Sequence, residues 1–242
     1  MRGLISAIRF ITVLPAGESG TFEPRRMIPF FPVVGLLLGV LTAGFDFVVS
    51  RFWSGPTIAL LDVVFLAALT GALHIDGLGD TADGLYGRRP REKALAIMKD
   101  SRIGIMALMA VVSVLAVKWA GIYELDYRRL LLIIIIPAYA RGSMIMGIFS
   151  LPYGRPEGGT GRAFFDEKLG VSDFKWMGIP VGLSLLLGWK FFWLNAVYCI
   201  LVFALLLFYK KRMGCVTGDM LGAMTEIIEA GLFLMVSMEF AA

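Results

Sequence analysis

Seven apolar runs, separated by charge, glycine or proline, constrain this chain more than any other feature. They fall at roughly 30–50, 57–75, 103–122, 130–149, 176–188, 191–209 and 220–238. A helix rises about 1.5 Å per residue, so the hydrocarbon layer of a bilayer asks for about 20 apolar residues per crossing. The fifth run is short. Only Trp189 and Lys190 separate it from the sixth, so those two form a tight hairpin or one bent unit. With 58% hydrophobic residues and a mean hydropathy of +0.78, the chain exceeds the roughly one-half apolar share of soluble domains. The expected fold class is all-α: a polytopic membrane helical bundle of about six to seven transmembrane helices, forming one integral membrane domain over 1–242. No internal repeat is evident. The first 15 residues lack a small-residue cleavage site, so no signal peptide is expected. Cys199 and Cys215 make no metal motif.

The segments between the runs set orientation. Residues 1–28 read as an amphipathic surface segment, with Ile5, Ile8, Phe10 and Ile11 alternating with Arg2, Ser6 and Arg9 before a loop holding Arg25 and Arg26. With the N-terminus inside, the inner segments are 1–29, 76–102, 150–175 and 210–219. They hold 17 of the 23 basic residues, the lysine/arginine bias that marks cytoplasmic loops. This predicts a multi-pass protein of the cell (inner) membrane, with 76–102 and 150–175 as cytoplasmic loops.

Chemistry-bearing residues collect on that side. Asp76, Asp80 and Asp83 are spaced i, i+4, i+7, within an arc of about 60° on a helix. Three carboxylates on one face repel one another, and a hard divalent cation relieves that repulsion. The plainer reading is helix capping or a solvated turn. A second acidic set, Asp219, Glu226 and Glu229, spans about 80° of arc, with Glu226 and Glu229 inside an apolar run. Ionisable residues at that depth face a bundle interior or wet cavity. The plainer reading pairs one of them with Arg141. Six carboxylates and several arginines suit metal-assisted chemistry on a phosphorylated substrate, where Mg²⁺ bridges phosphate and carboxylate and arginine grips phosphate. Arg88, Arg89, Arg91 and Lys93 read equally as phosphate contacts or as orientation and lipid contacts. Gly154, Gly158, Gly159 and Gly161 around Arg155 and Arg162 make a flexible lid or a plain connector. Asp46 and Asp62 lie toward the outer side and receive no catalytic role. His74 reads as packing, or as a hydrogen bond near the acids. No Walker A loop, dinucleotide fingerprint or nucleophile elbow is present.

Several stretches carry a resemblance. They are Phe10-Ile11-Thr12-Val13-Leu14-Pro15, Phe31-Pro32-Val33-Val34-Gly35, His74 to Gly84, Met98-Lys99-Asp100-Ser101-Arg102-Ile103-Gly104, and Thr217-Gly218-Asp219 through Glu229. In these the chain resembles the cobalamin-5′-phosphate synthase family, also described as adenosylcobinamide-GDP ribazoletransferases. Cys215 stands where a second glycine is expected and Gly79 where alanine is more usual.

The resemblance implies an integral membrane enzyme late in cobalamin synthesis. A ribose hydroxyl of α-ribazole or its 5′-phosphate attacks the phosphate attached to cobinamide in adenosylcobinamide-GDP, and GMP leaves, with Mg²⁺ required. The reaction is similar in kind to that of CDP-alcohol phosphotransferases, whose full Asp-Gly-x-x-Ala-Arg pattern is missing here. On this basis Asp76, Asp80, Asp83 and Asp219 are expected to hold Mg²⁺ and the diphosphate. Asp83, Glu226 and Glu229 are candidates for the general base. Arg102 and Arg141 are expected to stabilise the transferring phosphate, and Arg155 and Thr217 to contact substrate. The expected partners are the two substrates and the lipid bilayer, with no nucleic acid. A homo-oligomer is left open. Two competing functions are a CDP-alcohol phosphotransferase of lipid synthesis and a divalent-cation transporter.

Overall fold

A computed structural model describes residues 2–17, 23–155, 158 and 161–238. The helices are α1 (Arg2–Ile11), α2 (Pro24–Met27), α3 (Phe31–Val49), α4 (Gly55–Leu69), α5 (Leu73–Leu85), α6 (Arg91–Ile97), α7 (Ile105–Tyr123), α8 (Arg129–Ser150), α9 (Gly178–Ser184), α10 (Lys190–Arg212) and α11 (Gly218–Val236). Short 3₁₀ turns flank α9. Among the described residues the only strand-like pairing is an isolated parallel bridge, Tyr153 with Val216. The protein is an all-α polytopic membrane bundle.

Four stretches are individually long and apolar enough to cross a bilayer: Pro24–Val49, α7, α8 and α10. The pair α4–α5, bent by 90°, passes the same test only when its two helices are counted together as one span. The two further expected crossings depart from the simple pattern for visible reasons. α11 has 19 residues but carries three acids. Residues 171–187 are divided into a 3₁₀ turn, α9 and another 3₁₀ turn, with Gly188 at φ 61° turning the chain into α10.

Core helix α8 is buried on almost every face from Leu132 to Ile148. Its most extensive packing is against α3. Gly39 permits this, because a Cβ there would collide with the Ile133 and Ile134 backbone carbonyls. The peripheral helices behave oppositely. Leu108, Met109 and Val112 of α7, and Phe192, Ile200 and Phe203 of α10, are exposed, which suits a lipid-facing wall. α1 is held to the bundle rather than lying free, with Ser6, Ala7 and Ile11 buried and Arg2 and Arg9 turned out.

The expected 76–102 loop is instead largely helical. The second apolar run ends at Thr70, where Gly71 and Ala72 adopt left-handed φ values of 57° and 56° and turn the chain through 90° into α5. α5 packs across the first turns of α7 and α11: Gly79 faces Ala107, and Gly77 faces Asp219. It therefore lies along one end of the bundle, outside the spanning helices. The same end holds Arg212 at the close of α10, which donates to the carbonyls of Gly87 and Arg89. It also holds the Arg25–Asp173 pair at 2.5 Å. At the opposite end Arg129 binds Asp46 at 2.6 Å and Asp62 at 3.0 Å, and Lys190 donates to the carbonyl of Val236.

Candidate active site

Three local devices build the acid-lined end. Thr217 caps α11 by accepting a hydrogen bond from the Met220 N–H at 3.2 Å, which fixes Asp219 in the first turn. The bridge between Tyr153 and Val216, closed by Gly154 N–H to Val216 O at 2.8 Å, brings the segment after α8 alongside. That places Arg155 Nη2 2.6 Å from Asp219 Oδ2. Gly77 completes the arrangement, since a Cβ there would press on the Asp219 backbone.

Asp76, Asp80 and Asp219 form this rim. Burial first, then the charges of Asp76 and Asp219, push the Asp80 carboxyl up to about 6, and Arg155 opposes this. Among the described residues neither Asp76 nor Asp80 has an ion-pair partner within 4.0 Å. The rim thus carries more negative charge than Arg155 matches.

The other expected site residues sit differently. Asp83 is turned to structural use: its carboxylate accepts from the N–H groups of Gly104 at 2.6 Å and Ala107 at 2.9 Å, capping α7. An acid at a helix N-terminus is favoured by the aligned peptide dipoles. Thr217 is wholly buried in its cap. Arg102 does not join the acids. It pairs in the open with Asp100 at 2.5 Å, and that pairing pulls the Asp100 carboxyl down to about 2.

Glu226 and Glu229 are also drawn away from the rim. Lys118 Nζ lies 2.6 Å from Glu226 and 2.7 Å from Glu229, and Arg141 Nη1 donates to Glu229. All four side chains are at most 3% exposed. Two cations face two anions inside the bundle. The plainer reading, an acid paired with Arg141, describes Glu229; Arg141, expected at the transferring phosphate, is wholly buried in this pair. Lys118 was missed, although a lone lysine in an apolar run signals a buried acid partner. Asp46 and Asp62 lie with Arg129 at the opposite end. Arg89 of the basic loop donates to the Asp83 carbonyl at 3.1 Å, so it braces α5. Gly159 of the expected flexible loop lies outside the described residues.

Among the described residues, no three His, Cys, Asp or Glu side chains converge closely enough to enclose a metal ion. Magnesium does not need such a cage. It is usually held by one or two carboxylates together with substrate phosphates and water. Asp76 and Asp80, unpaired beside Asp219, fit that requirement by their chemistry.

Fold and rim together define a class: a polytopic membrane protein with an acid-lined rim at one end of its bundle. The chain belongs to the cobalamin-5-phosphate synthase family, whose sequence profile matches residues 3–237. It is 34% identical to the adenosylcobinamide-GDP ribazoletransferase of Desulforamulus reducens, covering 95% of this chain and 94% of the relative. The protein of the same name from Herpetosiphon aurantiacus is 36% identical over 95% of this chain and 93% of its own length. That from Chlorobium phaeovibrioides is 34% identical over 100% and 99%. No solved structure matches the chain.

Proposed function

We propose that this chain joins α-ribazole, or its 5′-phosphate, to the cobinamide phosphate of adenosylcobinamide-GDP, releasing GMP and closing the nucleotide loop of cobalamin. Family membership over nearly the whole chain and the shared name of its relatives support this reading. They do not favour a CDP-alcohol phosphotransferase or a cation transporter. The observation that carries the mechanism is the under-neutralised rim of Asp76, Asp80 and Asp219 with Arg155.

The ribose hydroxyl of the acceptor attacks the phosphorus attached to cobinamide. A new P–O bond forms, the diphosphate bridge breaks, and GMP leaves with the bonding electrons. Bound Mg²⁺ would neutralise charge on the diphosphate and its leaving oxygen. Asp76, Asp80 and Asp219 are the residues to hold it. Arg155 orients a phosphate by paired N–H donors, exchanging its contact with Asp219 for one to substrate. The base must reach the hydroxyl and be free of a fixed partner. Glu226 and Glu229 are sealed against Lys118 and Arg141, so the proton passes to a rim carboxylate that the ion leaves uncoordinated, since Mg²⁺ is usually held by only one or two carboxylates with phosphate and water. Asp83 acts indirectly, by holding α5 to the first turn of α7.

We place this end of the bundle at the cytoplasmic face of the cell membrane, because it carries the basic segments. The test is GMP release by the membrane-embedded chain, given adenosylcobinamide-GDP, α-ribazole phosphate and Mg²⁺, with EDTA as control. Release coupled to the corrinoid phosphodiester and abolished by EDTA supports the reading. No release with either form of ribazole overturns it.

A further inference from the structure

Beneath the rim, a cavity of about 110 Å³ opens into the bundle between α1, α3, α5, α8 and α11. Asp76 and Asp219 stand in its lining. Its wall is otherwise aromatic and apolar. Phe164 packs on Phe10 and Phe31 with ring centroids 5.0 and 5.9 Å apart, and Met144, Ile148 and Leu221 complete the enclosure. Apart from the two aspartates, His74 is the one polar side chain in that lining. It is 2% exposed, and among the described residues neither Nδ1 nor Nε2 has a hydrogen-bond partner. A buried polar group in that state is unfavourable unless something supplies the partner.

We propose that this cavity is the base pocket for the acceptor nucleoside. It takes a planar heteroaromatic base with few polar groups, and His74 supplies its hydrogen bond. The assignment rests on the transferase reading above and adds the seat of one substrate to it.

Chemistry separates the candidates. The dimethylbenzimidazole of ribazole is apolar except for its two ring nitrogens, and one of those carries the ribose. The remaining nitrogen accepts one hydrogen bond, which one imidazole N–H can donate. Guanine presents O6, N1–H, the N2 amine and N7, so a single histidine leaves most of its edge unpaired. Sites lined this way reject ligands whose polar groups they cannot satisfy. A corrin ring is far too large for the space. With the base seated here, the ribose emerges at Asp76 and Asp219, where its hydroxyl reacts. The donor diphosphate then approaches from the Arg155 side.

The experiment uses the full chain in lipid nanodiscs, with steady-state kinetics varied in each substrate separately. His74→Phe keeps a ring but removes the partner, and Met144→Phe fills the cavity without touching a charge. Each is expected to raise KM for α-ribazole by about tenfold and KM for adenosylcobinamide-GDP by less than about twofold. His74→Gln, which restores an N–H donor, is expected to recover part of the loss. Equilibrium dialysis with α-ribazole, and separately with GMP, reads binding without turnover. Weakened α-ribazole binding with unchanged GMP binding supports the assignment. A rise in donor KM with acceptor KM unchanged gives the cavity to guanosine and overturns it, as does no change in either. Wild-type protein that binds GMP but not α-ribazole overturns it even if neither variant folds. Absence of GMP release by wild type sinks the transferase reading, and dialysis then still decides whether the cavity holds the base.

Discussion

Two acidic groups are borne partly by the same helix, yet they do different work. Toward the middle of α11, Glu226 and Glu229 meet Lys118 and Arg141, all nearly inaccessible and charge-matched. At its first turn, Asp219 joins Asp76 and Asp80, with Arg155 as its ion-pair partner. Removing charges from water is expensive, so a sealed group of ions persists only when its charges nearly cancel. A group near the surface can stay unbalanced because solvent, or an arriving cation and phosphate, completes it. The lesson is that counting carboxylates overstates the active site. Their neutralisation separates the part that holds the helices together from the part left open for a ligand.

The sharpest way to break this contrast is to neutralise one acid in each group. Asp80→Asn is expected to lower GMP release by about 10²–10³-fold, the scale of losing one charge-stabilising group, with the amount of folded protein in membranes unchanged. If Asp80→Asn turns over normally, the rim is not the reaction site. Glu229→Gln leaves Arg141 and Lys118 facing too little negative charge. It is expected to destabilise the fold by about 3–5 kcal/mol, seen as a lower thermal-denaturation midpoint in detergent and lower yield. Pairing it with Lys118→Met should recover part of that loss, with a coupling of about 0.5–3 kcal/mol. Strict additivity would mean that the two do not act as one unit.

Chelation tests the same division. EDTA is expected to abolish GMP release while shifting the thermal midpoint of substrate-free protein little, because Lys118 and Arg141 already match the two acids of the sealed group. A large shift would place a structural metal in the bundle. The smallest effect should come from Arg25→Ala, which removes the clamp on Asp173. Arg25 holds the Asp173 carboxyl below its ordinary value, so the pair stabilises at neutral pH. Its contribution fades as pH falls through that lowered value. Because Arg25 is partly exposed, the difference between wild type and Arg25→Ala is expected to be no more than about 1 kcal/mol near pH 7, vanishing in strong acid. A difference that grows as pH falls would contradict the pairing.

Helix-length apolar runs and the lysine/arginine bias were enough to read the all-α bundle, the end that carries the basic segments, and the acidic face of residues 76–83. These are local or additive properties: hydropathy sums along a segment, and helical spacing follows from 3.6 residues per turn. That Asp76, Asp80 and Asp219 carry charge near helix ends was legible for the same reason. What each remaining side chain touches was not. Lys118 lies 108 positions from Glu226 and 111 from Glu229, and no pattern within either helix points across that gap. Arg102 was expected at the phosphate but closes on Asp100, two residues away. Asp83 shares the arc of Asp76 and Asp80, yet the 90° turn at Gly71 and Ala72 carries it onto the first turn of α7. His74 opens one of the stretches that carry the resemblance, but nothing in that stretch gives it a partner or a cavity. Its part in the cavity exists only because α1, α3, α5, α8 and α11 meet around it. The sequence determined which segments enter the membrane and which residue types stand at its edge, because burial of apolar surface and helical periodicity act locally. Only the tertiary structure decided which charges are cancelled and which stay open, because cancellation depends on distances between residues far apart in the chain.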